Sequence, residues 1–120
     1  MNMLKSKYFL SWIYLVFALM GAVLPTLSNI QFVNIYGPSF DIFKFVQLAN
    51  INPAAESISR DLFVGAGAVL VWIVVESRRL GVKNMWIVFC STFLIAFACG
   101  APLFLFLRER RIIELEKDTE

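Results

Sequence analysis

Long uncharged apolar stretches alternate along the chain with short charged segments. The first stretch, 8–27, follows Lys5 and Lys7 and contains no charged residue. An α-helix rises about 1.5 Å per residue, so about 20 apolar residues cross the roughly 30 Å hydrocarbon core of a bilayer. We predict a membrane-spanning helix at 8–27. We interpret it as a retained anchor, because it is longer than the apolar core of a cleavable signal peptide.

The second stretch is uncharged only between Asp61 and Glu76, which is too short to cross a bilayer. The helix must therefore begin earlier and end later than this uncharged part. Asn52 and Pro53 form a favourable pair for the N-cap and the first position of a helix. The pattern predicts a second spanning helix at 53–80.

The third stretch, 85–107, is uncharged and long enough to span with some tilt. Within it, Pro102 has no amide hydrogen to donate and crowds the preceding turn, so we expect a kink near Gly100. The tail at 108–120 alternates Arg with Glu, and we expect it to leave the membrane as a short exposed helix or to fray.

The segment 38–50 connects the first two predicted spans and is apolar but interrupted by charge. It is too short and too charged to cross, so we predict a helix lying in the interface, with Asp41 and Lys44 among the headgroups. The alternative is a folded loop over the bundle. The predicted fold is all-α, a single membrane domain (1–120) of three transmembrane helices with this helix or loop between the first and second.

The orientation of a three-span bundle is poorly determined by charge. Near the membrane, three spans would place five basic residues on each side, namely Lys5, Lys7, Arg78, Arg79 and Lys83 on one side and Lys44, Arg60, Arg108, Arg110 and Arg111 on the other. Since the first helix usually dominates orientation, we expect a cytoplasmic N-terminus.

Composition excludes several classes of protein. The chain is 59% hydrophobic and 17% charged, unlike a soluble domain, and its net charge of +2 gives no basic field for nucleic acid. Without histidine, the usual haem ligands, HExxH zinc sites and Ser-His-Asp triads are absent. Cys90 and Cys99 lie too far apart along one helix for a disulfide and form no metal motif. We therefore expect no haem, no metal, no catalytic residue and no enzymatic activity.

Asp61 and Glu76 are the ionisable residues that bracket the second predicted span. Charged groups within a span are functional candidates because they are costly unless paired, so a proton or ion relay is one hypothesis. The other is structural pairing, with Asp61 meeting Arg60 or a polar loop group and Glu76 meeting Arg78 or Arg79. The two carboxylates are too far apart to act as one acid–base pair.

Each predicted span also carries small residues, which allow helices to approach closely in a membrane. They are Ala18, Gly21 and Ala22 in the first span, Gly65, Gly67 and Ala68 in the second, and Ala96 and Gly100 in the third. Packing inside the bundle and docking of a partner both explain these residues. Few polar residues lie in the spans, so a water-filled path would require an oligomer.

Two segments carry a resemblance to a known family. They are Glu76-Ser77-Arg78-Arg79-Leu80-Gly81 and the run from Gly100-Ala101-Pro102-Leu103 to Arg108-Glu109-Arg110. From about Phe40 onward the chain resembles a small uncharacterised membrane protein family, a domain of unknown function found in cyanobacteria and other bacteria. The resemblance implies three spans and a bacterial plasma membrane or thylakoid membrane, and it supplies no activity, ligand or catalytic residue.

Three functions are consistent with this pattern. The first is an accessory or structural subunit, or an assembly factor, of a larger membrane complex such as a photosynthetic one. The second is an oligomeric small-solute or proton-coupled transporter that uses Asp61, and the third is a membrane enzyme acting on lipid or isoprenoid. The expected partners are membrane lipid, other membrane subunits or a second copy of the chain. The cofactor is unknown, with chlorophyll, carotenoid or lipid contacts the candidates.

Overall fold

The protein is an elongated helical molecule, seen here in a computed structural model that describes residues 2–37 and 41–119. Its principal extents are 56 × 24 × 24 Å. All elements in the described ranges are helical: α1 (Asn2–Tyr36), α2 (Ile42–Ala49), α3 (Pro53–Leu80), α4 (Met85–Cys90), a π-helical turn (Ser91–Ile95) and α5 (Phe97–Thr119). The predicted all-α class is confirmed for this part of the chain.

Helix α1 contains the predicted span but continues to Tyr36, with Pro25 inside it. At about 1.5 Å per residue it is about 52 Å long, which exceeds the hydrocarbon thickness. Its last turns are held by contacts with the next helix, since Phe32 packs edge-on against Phe45 at 5.4 Å and the Lys44 amine lies 4.9 Å from the centre of the Tyr36 ring. This packing explains why α1 extends beyond its apolar stretch.

Helix α2 lies within the segment predicted to be interfacial, and positions 38–40 of that segment lie outside the described residues. Asp41 begins the helix by accepting hydrogen bonds from the amides of Phe43 and Lys44, at 3.1 and 3.3 Å. No side chain of α2 is buried, and Phe43 is 85% exposed. A short helix with an uncovered apolar surface therefore occupies 42–49.

Helix α3 has the predicted bounds, 53–80. Asn52 caps it by accepting a hydrogen bond from the Ala55 amide at 2.8 Å, and Pro53 occupies its first turn. Gly81 ends it in the left-handed conformation, with a φ of 69°, which glycine adopts without steric penalty. Local sequence chemistry therefore determines both ends.

The structure does not confirm the predicted third span at 85–107. Helix α4 and the π-helical turn end at Ile95, Ala96 is extended with φ −173° and ψ 152°, and α5 then returns along α4. Val88 of α4 and Phe104 of α5 are both fully buried in one cluster with Ile73 of α3. We call α4, the π-helical turn and the apolar half of α5 the helical hairpin. It forms because burial of these side chains holds the two arms together.

The break in the helix differs in position from the kink expected near Gly100. Pro102 lies inside α5, and the chain reverses at Ala96. Gly100 instead permits close approach of the arms, because a Cβ atom built there would lie 2.9 Å from Thr92 Cβ and 3.0 Å from Thr92 Cα. Since Pro102 has no amide hydrogen, the carbonyl group of Ala98 receives no helical hydrogen bond from it.

The charged tail is not an exposed or frayed segment. It continues α5 to Thr119, and both Glu109 and Ile113 are buried. Helix α5 lies antiparallel to α1, as two contacts show: the rings of Trp12 and Phe106 lie 6.1 Å apart, and Lys7 pairs with Glu116. Arg108, Arg111 and Glu116 are partly covered because helices remote in sequence supply partners for them, whereas Glu114, Lys117 and Asp118 are exposed.

Two helices in the described residues are long and apolar enough to cross a membrane, within Lys5–Tyr36 and Pro53–Leu80. The apolar segment Met85–Ile95 is shorter than a bilayer crossing. Most large apolar side chains along the two long helices are exposed, and the buried core is small. The molecule therefore presents an apolar surface over much of its length.

Candidate functional site

The strongest concentration of charge lies where α1 begins and α3 and α5 end, a region we call the charged end. The ion pair between Lys7 and Glu116 joins α1 to α5 there, and the pair between Glu76 and Arg108 joins α3 to α5. Nine of the eleven Lys and Arg residues of the chain lie in elements that meet at this end: Lys5, Lys7, Arg78, Arg79, Lys83, Arg108, Arg110, Arg111 and Lys117. The other two are Lys44 and Arg60.

Glu76 is one of two buried acids of the charged end, the other being Glu109, and its side chain is only 10% exposed. It accepts a hydrogen bond from Arg79 Nε at 3.0 Å, one helical turn away, and lies 3.5 Å from Arg108 Nε. A carboxylate held between guanidinium groups from two helices stabilises the contact between those helices, because removing it would leave Arg79 without its ion-pair partner and Arg108, whose side chain is 24% exposed, with Glu109 alone. Glu76 thus fastens α3 to α5.

Arg111 makes a second connection between the same two helices. Its Nε donates a hydrogen bond to the Leu80 carbonyl oxygen at 2.9 Å, at the end of α3 where carbonyl groups lack helical partners. A cation at a helix C-terminus also interacts favourably with the helix dipole. The amides of Gly81 and Val82 both donate to the Ser77 carbonyl, which completes the end of α3.

Arg110 lies on the contact between α1 and α5, against three aromatic rings. The centre of its guanidinium group is 5.1 Å from the Trp12 ring and 5.3 Å from the rings of Tyr8 and Phe106. Lys117 lies 5.3 Å from the same Tyr8 ring. Arg110 Nε is buried without a hydrogen-bond partner, and no described carboxylate lies within ion-pair distance of the side chain. Cation–π contact holds this arginine in place without neutralising it.

The residues proposed from sequence are separated by the structure. Glu76 and Arg79 come together, whereas Arg78 is exposed beside them. Asp61 is exposed towards the other end of α3, and within the described ranges no cation lies within ion-pair distance of it, because Arg60 pairs with Glu56 instead. The structure therefore gives no shared site for Asp61 and Glu76.

Sequence reasoning missed the residues of α5 that complete the charged end. Arg108, Arg110 and Arg111 lay in a tail that alternates in charge, a pattern typical of solvated helices. The available signal was the apolar pair Ile112 and Ile113 inside that tail, since Ile113 is 3% exposed and packs the charged half of α5 inward. On a fully exposed helix, two adjacent isoleucine side chains would gain no stability from burial.

The small residues divide into those that pack and those that do not. Ala18 and Gly21 are buried, and a Cβ on Gly21 would overlap the Ala98 carbonyl group and lie 2.7 Å from the Cys99 nitrogen. A Cβ on Gly65 or Gly67 would have no neighbour within 4 Å. The remaining predicted packing residues are half-buried Ala22 and Ala96, buried Gly100 and exposed Ala68.

An open groove of about 500 Å³ follows the contact between α1 and α5 near the tip of the helical hairpin. Its lining is apolar and includes Phe17, Leu24, Pro25, Phe97 and Pro102. The described residues contain no group of three or more His, Cys, Asp or Glu side chains placed to hold a metal ion. The groove offers apolar contact without polar groups to orient a reacting molecule.

These features define an all-helical protein with two helices suited to crossing a membrane and a charged end that fastens them to a helical hairpin. The chain belongs to the family described as Protein of unknown function DUF2834, whose model matches residues 13–110. The match begins well before Phe40, so α1 is part of the family pattern. Neither the curated proteins nor the solved structures contain a match to this chain.

Proposed function

We propose that this protein is an integral membrane subunit that docks into a larger membrane complex as an accessory, structural or assembly component. The middle of α3 carries this proposal, because a Cβ atom built on Gly65 or Gly67 would meet nothing within 4 Å, while Phe63 is 81% and Val64 69% exposed. In a bilayer, glycine on a helix surface lets another helix approach closely. We call residues 61–68 the open face of α3.

The proposed membrane topology has two spans, α1 and α3, and places the charged end in the cytoplasm. Two spans bring both termini and the loop between α3 and α4 to the same side. The segment Met85–Ile95 rises about 16 Å, roughly half of the hydrocarbon core, before the reversal at Ala96. With nine basic residues on this side and two on the other, the charge distribution strongly favours a cytoplasmic charged end.

Fusion of green fluorescent protein to each terminus in turn tests this topology, because the fluorophore fails to mature when the protein is exported unfolded. Both fusions should fluoresce, and the same reporter inserted after Asn50 should be dark. A three-span bundle predicts opposite results at the two termini. A dark C-terminal fusion with a fluorescent N-terminal one would therefore refute the two-span topology.

The proposed docking is tested by site-specific cross-linking in native membranes. A photo-reactive amino acid at Gly67 should capture a specific membrane protein, and the same amino acid at Val23, exposed on α1, serves as the matched control. The captured complex is then isolated through a C-terminal tag in mild detergent, and its pigment absorption is recorded. Capture of lipid alone from both positions, with a monomer on the native gel, would contradict the proposal.

An oligomeric transporter is the second candidate, and the position of Asp61 favours it. Asp61, Gly65 and Ala68 follow one stripe at helical spacing, so a copy of the chain packed on the open face of α3 would cover the carboxylate. A carboxylate in such an interface would be a candidate proton or ion carrier. Flux of the solute or ion is measured in proteoliposomes that contain the wild-type protein, Asp61→Asn or Glu56→Gln. A lower flux in Asp61→Asn alone would support transport. Equal flux in all three proteins would exclude this role of Asp61.

A further inference from the structure

Five cations of the charged end lack an ionic partner among the described residues: Lys5, Arg78, Lys83, Arg110 and Lys117. The neighbouring cations Lys7 and Arg111 are paired with Glu116 and Glu114. Arg78 and Lys83 are exposed at the end of α3 and in the loop after it, whereas Lys5, Arg110 and Lys117 lie on α1 and α5.

Lys5, Arg110 and Lys117 border one surface of the contact between α1 and α5. Lys5, Tyr8 and Trp12 follow one another at helical spacing along α1. Arg110 and Lys117 are seven residues apart on α5, which places them on the same face of that helix, and both contact the Tyr8 ring. We call this surface the aromatic–basic seam.

We propose that the aromatic–basic seam binds the phosphate of an anionic phospholipid headgroup, with Arg110 as its principal ligand. The proposal rests on the membrane placement given above and adds a specific lipid to it. Tyr8 and Trp12 belong to the residue types that concentrate where the hydrocarbon meets the headgroups. At that depth the abundant anion is the lipid phosphate, and a planar guanidinium group binds phosphate oxygens through paired hydrogen bonds.

The state of Arg110 favours a ligand over a purely structural role. Its guanidinium group is oriented by the three rings, yet its buried Nε has no hydrogen-bond acceptor. An unsatisfied buried donor is unfavourable, and the cost is larger for a charged group. Lys117, which contacts the same Tyr8 ring, and Lys5, one helical turn before Tyr8 on α1, are both exposed and would add attraction for a headgroup with net negative charge, such as phosphatidylglycerol.

Native mass spectrometry of the purified full chain tests the proposal, with phosphatidylglycerol or phosphatidylcholine added at equal concentration. Arg110→Gln and Lys117→Gln are compared with Lys44→Gln. Lys44 is a matched control because its amine also lies over a tyrosine ring, at 4.9 Å from Tyr36, at the other end of the molecule. Circular dichroism establishes that each variant retains its helices, and Lys117 is exposed enough to be replaced without disturbing the packing.

The wild-type protein should retain phosphatidylglycerol in preference to phosphatidylcholine. Lys117→Gln should weaken phosphatidylglycerol binding about fivefold, the equivalent of about 1 kcal/mol per basic residue near the surface. Arg110→Gln should weaken it at least about tenfold, because a charge-assisted hydrogen bond is lost together with the charge. Lys44→Gln should leave binding unchanged.

Equal retention of the two lipids, or an equal loss in Lys44→Gln, would overturn the lipid site. Displacement of phosphatidylglycerol by millimolar inorganic phosphate would also overturn it, because the site would then recognise a free anion. Extraction of the native protein from membranes by alkaline carbonate is a separate measurement. Release by carbonate would refute the membrane placement itself, whereas firm retention combined with no lipid preference would refute the aromatic–basic seam alone.

Discussion

Gly21 is the residue at which α1 approaches α5 most closely, so Gly21→Ala is the most direct test of the packing. A Cβ atom there would overlap the carbonyl group of Ala98 and lie 2.7 Å from the Cys99 nitrogen. These are backbone atoms, so no side-chain rotation relieves the overlap. The two helices would have to separate along a contact that includes Trp12 and Phe106.

The expected magnitude follows from two opposing effects. Overpacking against a rigid neighbour costs about 1–3 kcal/mol, and a backbone clash belongs at the upper end of that range. Replacing glycine by alanine inside a helix contributes about 1 kcal/mol in the other direction. Gly21→Ala should therefore lower the free energy of unfolding by about 2 kcal/mol.

Gly65→Ala is the matched control, because a Cβ at that position meets nothing within 4 Å. Gly65→Ala gains the higher helix propensity of alanine without a clash, so it should raise the free energy of unfolding by about 1 kcal/mol. The free energies of unfolding of the two variants should then differ by about 3 kcal/mol. Reversible unfolding in mixed micelles of increasing SDS content, followed by tryptophan fluorescence, measures both. Equal shifts for Gly21→Ala and Gly65→Ala would refute the close approach of α1 and α5.

Three further predictions concern the helical hairpin and the charged end. Pro102→Ala should leave a C-terminal fluorescent reporter on the side of the N-terminus, because the chain reverses before α5 and not at the proline; movement of the reporter to the other side would show that the proline causes the reversal. In detergent solution, N-ethylmaleimide should label Cys90 on the protein surface faster than buried Cys99, as read from the masses of the labelled peptides; equal rates in the folded state would contradict the packing of α5. Glu76→Gln should reduce stability by about 1–3 kcal/mol in the SDS titration by removing the mostly buried carboxylate that accepts from Arg79 and pairs with Arg108 of α5, whereas Glu56→Gln, which breaks an exposed pair, should cost under about 1 kcal/mol.

The bounds of α3 could be predicted because short-range chemistry determines them. The Asn52 side chain caps the first turn, Pro53 fits that turn, and Gly81 adopts the left-handed conformation that ends the helix. Each effect acts within a few residues of the position it determines. A sequence pattern contains all of this information.

The helical hairpin could not be predicted because it depends on contacts between distant residues. An uncharged run of 23 residues, 85–107, has the length and composition of one span, and nothing in its periodicity marks Ala96 as a reversal. The reversal is stabilised where Val88 and Phe104 meet Ile73 of another helix. The structure of the tail has the same cause, since Glu116 is paired with Lys7 at the opposite end of the chain.

The helical hairpin also has a consequence for how the protein enters a membrane. In a three-span bundle the whole charged half of α5, including Arg108 and Lys117, would have to be translocated with its carboxylates. With the proposed topology, only the segment around α2 and the beginning of α3 as far as Asp61 crosses, and it carries just Lys44 and Arg60 as cations. Each translocated cation works against a membrane potential that is negative inside, by about 2.3 kcal/mol per 100 mV. In the proposed topology α1 and α3 insert as a pair, and the helical hairpin then enters from the cytoplasmic side. The remaining cations of the chain are therefore not translocated, and no electrical work is required for them.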